Sequence, residues 1–600
     1  MMHHQKAIIG PARRIQQATL FPMPPSQHPL LRLPEKDILK PIDAHDRGLL
    51  WTILLLMGWM GVCWNMQSQT QGAEPASFQN QREQLNRYLK HRPNHRPAKN
   101  IILFIGDGMG ISTMTASRIL EGQQKGTAGE EHRLSWEHFP YSALAKVYNT
   151  NQQTPDSAGT MSAIMTGHKT KAYTFGYDQR VVRGDHTSTR DFQGEAASCE
   201  TLLEYFEKKG KSTGVVTTAR VTHATPAACY AHSPERNWEH DADMTENHPK
   251  ALEAGFKDIA RQLMEFPYGD GLEVVLGGGR QAFLPNTAHD YEDPKLMGHR
   301  LDGRHLIDTW LRQPGSSFVF DRKGLLQVDT SSTERLLGLF ERSHMTYETD
   351  RIKEVSPSDP SLSEMSLKAL EILKQNQQGY FLMIEGGRID HAHHAGNAFR
   401  ALSETIALSK AVHAIQSALS EEEKEDTLIL VTADHSHTFT IAGYPTRGNP
   451  ILGLVVGNDD HGNPESSPKK DAMGLPYTTL AYANGGGYSG PMQNKKSKEI
   501  TTGGVHFHLD IGDGGGPLAA HDDWKYLHTP RSPRPDLSEV DVGCEDYVQE
   551  AGVALSSETH AGEDVAVFAI GPMAHLIRGV IEQNFLYHVM RYASGDMEKP

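Results

Sequence analysis

An α/β fold, with a large and mostly parallel central sheet flanked by helices, is what this sequence predicts. Three observations carry the expectation. Six short apolar runs (IILFIGDG, GVVTTARVTHATP, EVVLGGG, FLMIEGGRID, LILVTADHSH and VAVFAIGP) are separated by segments long enough for helices. Near-continuous apolar runs of this kind mark strands buried on both faces, as parallel sheets require. The carboxylates and imidazoles that could do chemistry lie just past those runs, where ligand sites gather in such sheets.

In chain order, residues 1–47 carry seven Lys/Arg against four acids and show no apolar periodicity, so they are expected to be disordered. Gly48 to Trp64 follows, seventeen residues without a charge, which suits a transmembrane signal anchor or a signal peptide. The basic residues before it keep the N-terminus inside and send the body across the membrane. Residues 65–98 read as a polar linker, and residues 99–596 as the α/β domain. Within that domain, 445–545 breaks the strand–helix rhythm with Gly, Pro, Asn and His and reads as an inserted, loop-rich surface subdomain. Its His506, His508 and His521 fit a solvated loop better than a metal site.

The net charge of −15 over 600 residues argues against a nucleic-acid partner. Cys63 lies in the apolar run. Cys199, Cys229 and Cys544 allow at most one disulfide, and the absence of CxxC spacing makes a thiolate zinc site an unfavourable reading.

The stretch with most chemistry is FLMIEGGRIDHAHH, Phe381 to His394. Hard carboxylate oxygens beside imidazole nitrogens at the end of a buried strand suit a divalent metal. IILFIGDG adds Asp107 between glycines, and LILVTADHSH adds Asp434, His435 and His437. SSETHAGEDV adds His560 before the last run. TPDSAGT puts Ser157 at an expected helix start, where the helix N-terminus favours developing negative charge. No GxSxG elbow surrounds it, so a metal is a better activator than a triad histidine. VTHATPA and RNW supply His223, Thr225 and Arg236. Each motif alone has a bland explanation, as cap, turn or surface charge. Together they furnish ligands for two or three cations and an arginine fork for phosphate.

DGMG, DSAGT, VTHATPA, RNW, LGGGR, RLDGR, EGGRIDHAHH, TADHSH and ETHAGEDV, in this order from about Asn100 to Tyr592, resemble the alkaline phosphatases, the animal enzymes more closely than the bacterial ones. The resemblance implies hydrolysis of phosphate monoesters through a phosphoserine on Ser157, with Arg236 binding the phosphate. It implies one zinc on Asp390, His394 and His560, and a second on Asp107, Asp434, His435 and Ser157. Magnesium would lie on Asp107, Thr225 and Glu385, with His223, His391 and His437 as supporting residues. A calcium site would use Glu292, the Phe340 carbonyl, Glu341 and Asp359. It also implies a homodimer, which the apolar segment and the basic residues before it would place at the cell surface or secreted. Two other readings stand beside it: a related bimetal phosphodiesterase or sulfatase, and a surface binding protein that kept the fold without catalysis.

Overall fold

The computed structural model describes residues 76–190, 196–355, 357–488 and 534–595, in two compact units, Met1–Leu89 and Lys90–Pro600. The described residues of the first unit lie in helix α1, Ala76–Lys90, whose last residue opens the second unit. Its Ala, Gln, Glu, Leu, Arg and Lys are good helix formers, which explains order in a stretch that reads as a plain polar linker. Segments 1–47 and 48–64 lie outside the described residues, as do His506, His508 and His521. No helix among the described residues is long and apolar enough to cross a membrane.

Ten strands of the second unit make one sheet: β1 Asn100–Gly106, β2 Tyr141–Lys146, β3 Ser212–Arg220, β4 Val274–Gly278, β5 Ser316–Val319, β6 Arg335–Leu339, β7 Tyr380–Gly386, β8 Thr427–Ala433, β9 Val565–Ile570 and β10 Gly579–Glu582. Their order is β10-β2-β9-β8-β1-β7-β3-β4-β6-β5. The six apolar runs are β1, β3, β4, β7, β8 and β9. Only β9 opposes the other strands, pairing antiparallel with both β8 and β2. β2, in YSALAK, escapes a hydropathy reading because only Ala143 and Ala145 are fully buried, while Ser142, Leu144 and Lys146 face outwards. Central strand β1 is buried along its whole length. Its Ile101, Ile102, Leu103, Phe104 and Ile105 contribute roughly 10 kcal/mol of gross apolar burial.

Register, more than burial, positions the site. Ile105 pairs with Glu385 and Gly106 with Gly386 on one side of β1, and Gly106 pairs with Ala433 on the other. Asp107 and Asp434 therefore emerge level at the carboxyl edge of adjacent strands, with Glu385 two residues short of that level on β7. A three-stranded sheet of Phe439–Ile441, Leu480–Gly485 and Ala551–Ala554 stands beside this edge. It packs Phe439, Leu480 and Tyr482 against helices α2 (Ile111–Gln124) and α5 (Ala398–Ala418) through Ala116, Leu120, Leu402 and Ile406. Cys199, Cys229 and Cys544 are free thiols, so no disulfide joins them.

Candidate active site

β7 passes through Gly387 into helix α4, Arg388–His394. That turn sets Asp390 and His394 four residues apart on one face, with His394 Nε2 3.4 Å from Asp390 Oδ1. The two-residue strand His560–Ala561 pairs with Ser436–His437 and brings His560 Nε2 to 3.3 Å from the same oxygen and 3.0 Å from His394 Nε2. Nδ1 of His560 faces the Pro155 carbonyl at 2.8 Å, and Nδ1 of His394 faces the Glu558 carbonyl at 2.7 Å. Both carbonyls can only accept, so each Nδ1 carries the proton and each Nε2 keeps its lone pair. A tetrahedral ion with bonds of about 2.0–2.1 Å sets its ligands roughly 3.3 Å apart. The three atoms are spaced for such an ion. Burial alone would raise the Asp390 carboxyl, but His394, His437 and His560 outweigh it and hold the group well below its ordinary range.

A second group forms at the level edge of the sheet. His435 Nε2 lies 3.4 Å from Asp107 Oδ1 and 3.4 Å from Asp434 Oδ2. Asp434 Oδ1 is fixed by the Gly108 and His435 amides at 3.1 and 2.8 Å. Gly108 has φ +71°, and a Cβ there would run into the His437 imidazole, so glycine is required. A third group joins Asp107, Glu385 and His223, with Thr225 Oγ1 donating to Asp107 Oδ2 at 3.4 Å. Burial first, then the Asp434, Asp390 and Glu385 charges, push Asp107 well above its ordinary pKa. Burial likewise raises Glu385 to about 7 and raises Asp434. Burial drives His435 far below its ordinary value, so it stays neutral. Asp107 Oδ1, Glu385 Oε1 and His435 Nδ1 are buried with no hydrogen-bond partner. Fully buried carboxylates with orphaned oxygens are compensated when cations sit among them, so these residues fit divalent ions.

Ser157 opens helix α3, Ser157–Thr166, whose N-cap is Asp156. Its Oγ is 3.0 Å from His435 Nε2, beside the second group. Arg236 Nη1 donates to Asp156 Oδ2 at 3.2 Å, and Nη2 lies 2.8 Å from His223 Nε2. Tyr173, at φ +66°, ties this corner together: its amide donates to Asp156 Oδ1 at 2.8 Å, and its carbonyl accepts from the Arg236 amide at 2.9 Å. Asp156 thus aims the arginine as well as capping the helix, a role that its capping pattern conceals.

Of the residues expected in supporting roles, His437 bridges Asp390 Oδ1 at 2.7 Å and Glu558 Oε2 at 2.5 Å. Burial would lower its pKa, but those two carboxylates outweigh it and raise it to about 10. His391 lies off the ligand groups, its ring 4.0 Å from that of His344 and 5.4 Å from that of His223. His393, which neighbours His394 in sequence, links Thr113 Oγ1 at 2.9 Å to the Tyr482 hydroxyl at 2.8 Å. Glu558 shows no ligand pattern within SSETHAG, and the sequence gives no signal of its contact with His437.

The carboxylates expected at calcium lie near enough to repel one another. Glu341 is raised to about 8 by burial, then by Asp359 and Glu292. Asp359 is raised to about 6, chiefly by burial, and its Oδ1 has no hydrogen-bond partner. Glu292 is the most engaged of the three, accepting from Arg280 Nη2 at 2.5 Å and Ser358 Oγ at 2.8 Å. Phe340 is buried just past the end of β6. A further acidic group, Asp241, Asp258 and Asp302, has a different occupant: the buried Arg300 guanidinium lies among them, 2.9 Å from Asp258 and 2.5 Å from Asp302.

A doubly flanked α/β sheet whose carboxyl edge offers buried carboxylate–imidazole groups to cations, next to a helix-capped serine and a tethered arginine, defines a metal-dependent hydrolase. The chain belongs to the alkaline phosphatase family: the model of that family matches residues 98–595. It is 43% identical over 509 residues to the tissue-nonspecific alkaline phosphatase of Gallus gallus (84% of this chain, 85% of that one). The Homo sapiens protein of that name is 42% identical over 530 residues, covering 87% and 88%. The alkaline phosphatase of Gadus morhua is 41% identical over 508 residues, covering 84% and 92%. Among solved structures, the alkaline phosphatase of Thermus thermophilus shares the fold at a TM-score of 0.55 and 20% identity, over 85% of this chain and 93% of that one.

Proposed function

We propose that the chain hydrolyses phosphate monoesters with Ser157 as nucleophile, by way of a phosphoserine. The observation that carries this reading is the Ser157 hydroxyl, on the first turn of α3 and 3.0 Å from a histidine held neutral by burial. In-line attack forms the Ser157 Oγ–phosphorus bond and breaks the bond to the leaving oxygen; water then attacks the phosphoserine and releases phosphate. The N-terminus of α3 favours the serine oxyanion. Arg236, aimed by Asp156 and His223, offers two parallel N–H groups to non-bridging phosphate oxygens.

The residues that would hold cations are Asp390, His394 and His560 for one zinc, Asp107, Asp434, His435 and Ser157 for a second, and Asp107, Thr225 and Glu385 for magnesium. When bound, these ions would supply Lewis acidity to the attacking and leaving oxygens and neutralise phosphate charge. The close approach of His223 to Asp107 and Glu385 supports a role at the magnesium end of the site. Glu292, Phe340, Glu341 and Asp359 would hold calcium remote from the chemistry. A homodimer at the cell surface or secreted, with 48–64 as anchor or cleaved signal, completes the proposal. Support for the topology is the run of basic residues before the apolar segment; N-terminal sequencing and sedimentation of the mature protein test it.

Acid-quenching the enzyme with a phosphorus-labelled monoester should trap label on the wild-type chain and none on Ser157→Ala. Phosphate release should fall by about a thousandfold or more in that variant. Wild-type release from Ser157→Ala would end this reading.

A further inference from the structure

Glu558 belongs to no ligand set named above, yet it is 1% exposed and both its carboxylate oxygens are engaged. Oε1 accepts from the Thr438 amide and the Thr438 hydroxyl, each at 2.7 Å. Oε2 meets His437 Nδ1 at 2.5 Å. The other nitrogen of that ring meets Asp390 Oδ1 at 2.7 Å, the same oxygen that faces His394 and His560. The Glu558 main chain is bound to the site as well. Its carbonyl accepts the His394 Nδ1 proton at 2.7 Å, and its amide donates to the His394 carbonyl at 3.1 Å. Two residues further on, His560 pairs with His437 across the short strands. One residue thus reaches all three expected ligands: Asp390 through one imidazole, His394 through its backbone, His560 through the chain itself.

We propose that Glu558 is the positioning residue of the Asp390–His394–His560 group, holding the three ligand atoms at metal-ready spacing and so setting the affinity of this group for zinc and not that of the neighbouring one; this rests on zinc being the ion held there. A carboxylate is needed for the task. Its oxygens only accept, and they face three donors. An amide at this position turns its NH₂ either towards the Thr438 amide, donor against donor, or towards His437 Nδ1, which must then give up its proton. The first orientation sets two buried donors against each other at Thr438 and the second replaces the Nδ1–H donor of His437, so either way one side of the bridge that holds the ring against Asp390 is lost. Partners of metal ligands at this remove are worth about 10–100-fold in metal affinity.

The test is zinc binding by Glu558→Gln, measured on dialysed full-length protein in competition with a chelating indicator. Wild type should bind two tight equivalents. The variant should keep one and hold the other about 10–100-fold more weakly, with magnesium content and the melting temperature of the metal-free protein unchanged. Its kcat should climb towards wild type as free zinc is raised. Two equivalents of wild-type affinity in Glu558→Gln would overturn the proposal, and so would equal weakening of both, which would mark general support of the fold. A wild-type chain that took up no zinc would overturn the zinc reading itself. Should Glu558→Gln fail to fold, Thr438→Val removes one donor from the same carboxylate, and a loss of a fewfold confined to one equivalent is expected.

Discussion

Replacing Asp107 by asparagine should have opposite effects on the metal-free and metal-loaded protein. Asp107 has ligand atoms within 4.8 Å of Asp434 in one group and of Glu385 in another. Two unit charges at that separation repel by about 3.5 kcal/mol at an effective dielectric constant near 20. Part of this is relieved by protonation, since burial and the neighbouring carboxylates push Asp107 well above its ordinary range and Glu385 to about 7. Both folded pKa values exceed the unfolded ones. At these two groups the folded metal-free protein therefore holds protons that the unfolded chain releases, so their contribution to stability is fully present below the ordinary carboxylate pKa and falls as pH rises through about 7. Asp107→Asn, nearly the same shape without the charge, should gain about 3 kcal/mol at about pH 8, or about 3 °C in melting temperature for a unit of this size. The same substitution removes one ligand from two sites at once, so zinc and magnesium should no longer raise the melting temperature as they do for wild type. Differential scanning calorimetry of chelator-treated and metal-loaded protein reads both effects. A metal-free Asp107→Asn that melts below wild type, or a metal-induced shift that survives the substitution, would refute the reasoning.

Arg236→Ala should lower kcat/KM for a monoester by about 100-fold, the usual cost of losing an oriented donor to a charged transition state; steady-state kinetics within about twofold of wild type would show that the arginine does not touch phosphate. Glu207, buried under β3, is pushed up to about 9, first by burial and then by Glu273, with Thr213 Oγ1 donating to one oxygen at 2.5 Å. Its contribution is present below the ordinary glutamate pKa and is lost as pH rises through about 9, at up to about 1.4 kcal/mol per pH unit. Glu207→Gln should therefore gain on wild type between about pH 6 and pH 9 in urea denaturation, and parallel curves for the two proteins would contradict this.

Much of the site is legible in order along the chain because each ligand lies within a few residues of a buried strand. Asp107 follows β1, Glu385 is the last residue but one of β7, Asp434 and His435 follow β8, and a parallel register brings those strand ends to one edge. Asp390 and His394 are also readable, since a four-residue spacing on a helix brings them to one face. What resists reading is long-range. Asp156 is spelled as a cap, and only the fold brings Arg236, eighty positions on, against its second oxygen. Glu558 looks like any acid in a polar turn until His394 and His437 close around it. Asp241, Asp258 and Asp302 look like ligands until the buried Arg300 is found among them. The direction of β9 is likewise hidden, because a run buried in mid-sheet reads the same either way.

By itself the sequence determined the class of fold, most of the buried strands and the chemical identity of the groups at their ends, since hydrophobic periodicity and ligand type are local properties. The tertiary structure alone decided which carboxylates share a cation, which is neutralised by a guanidinium and which holds a ligand in place. Those outcomes depend on distances of a few ångströms between atoms hundreds of residues apart, and on a burial that leaves no solvent to screen the charge.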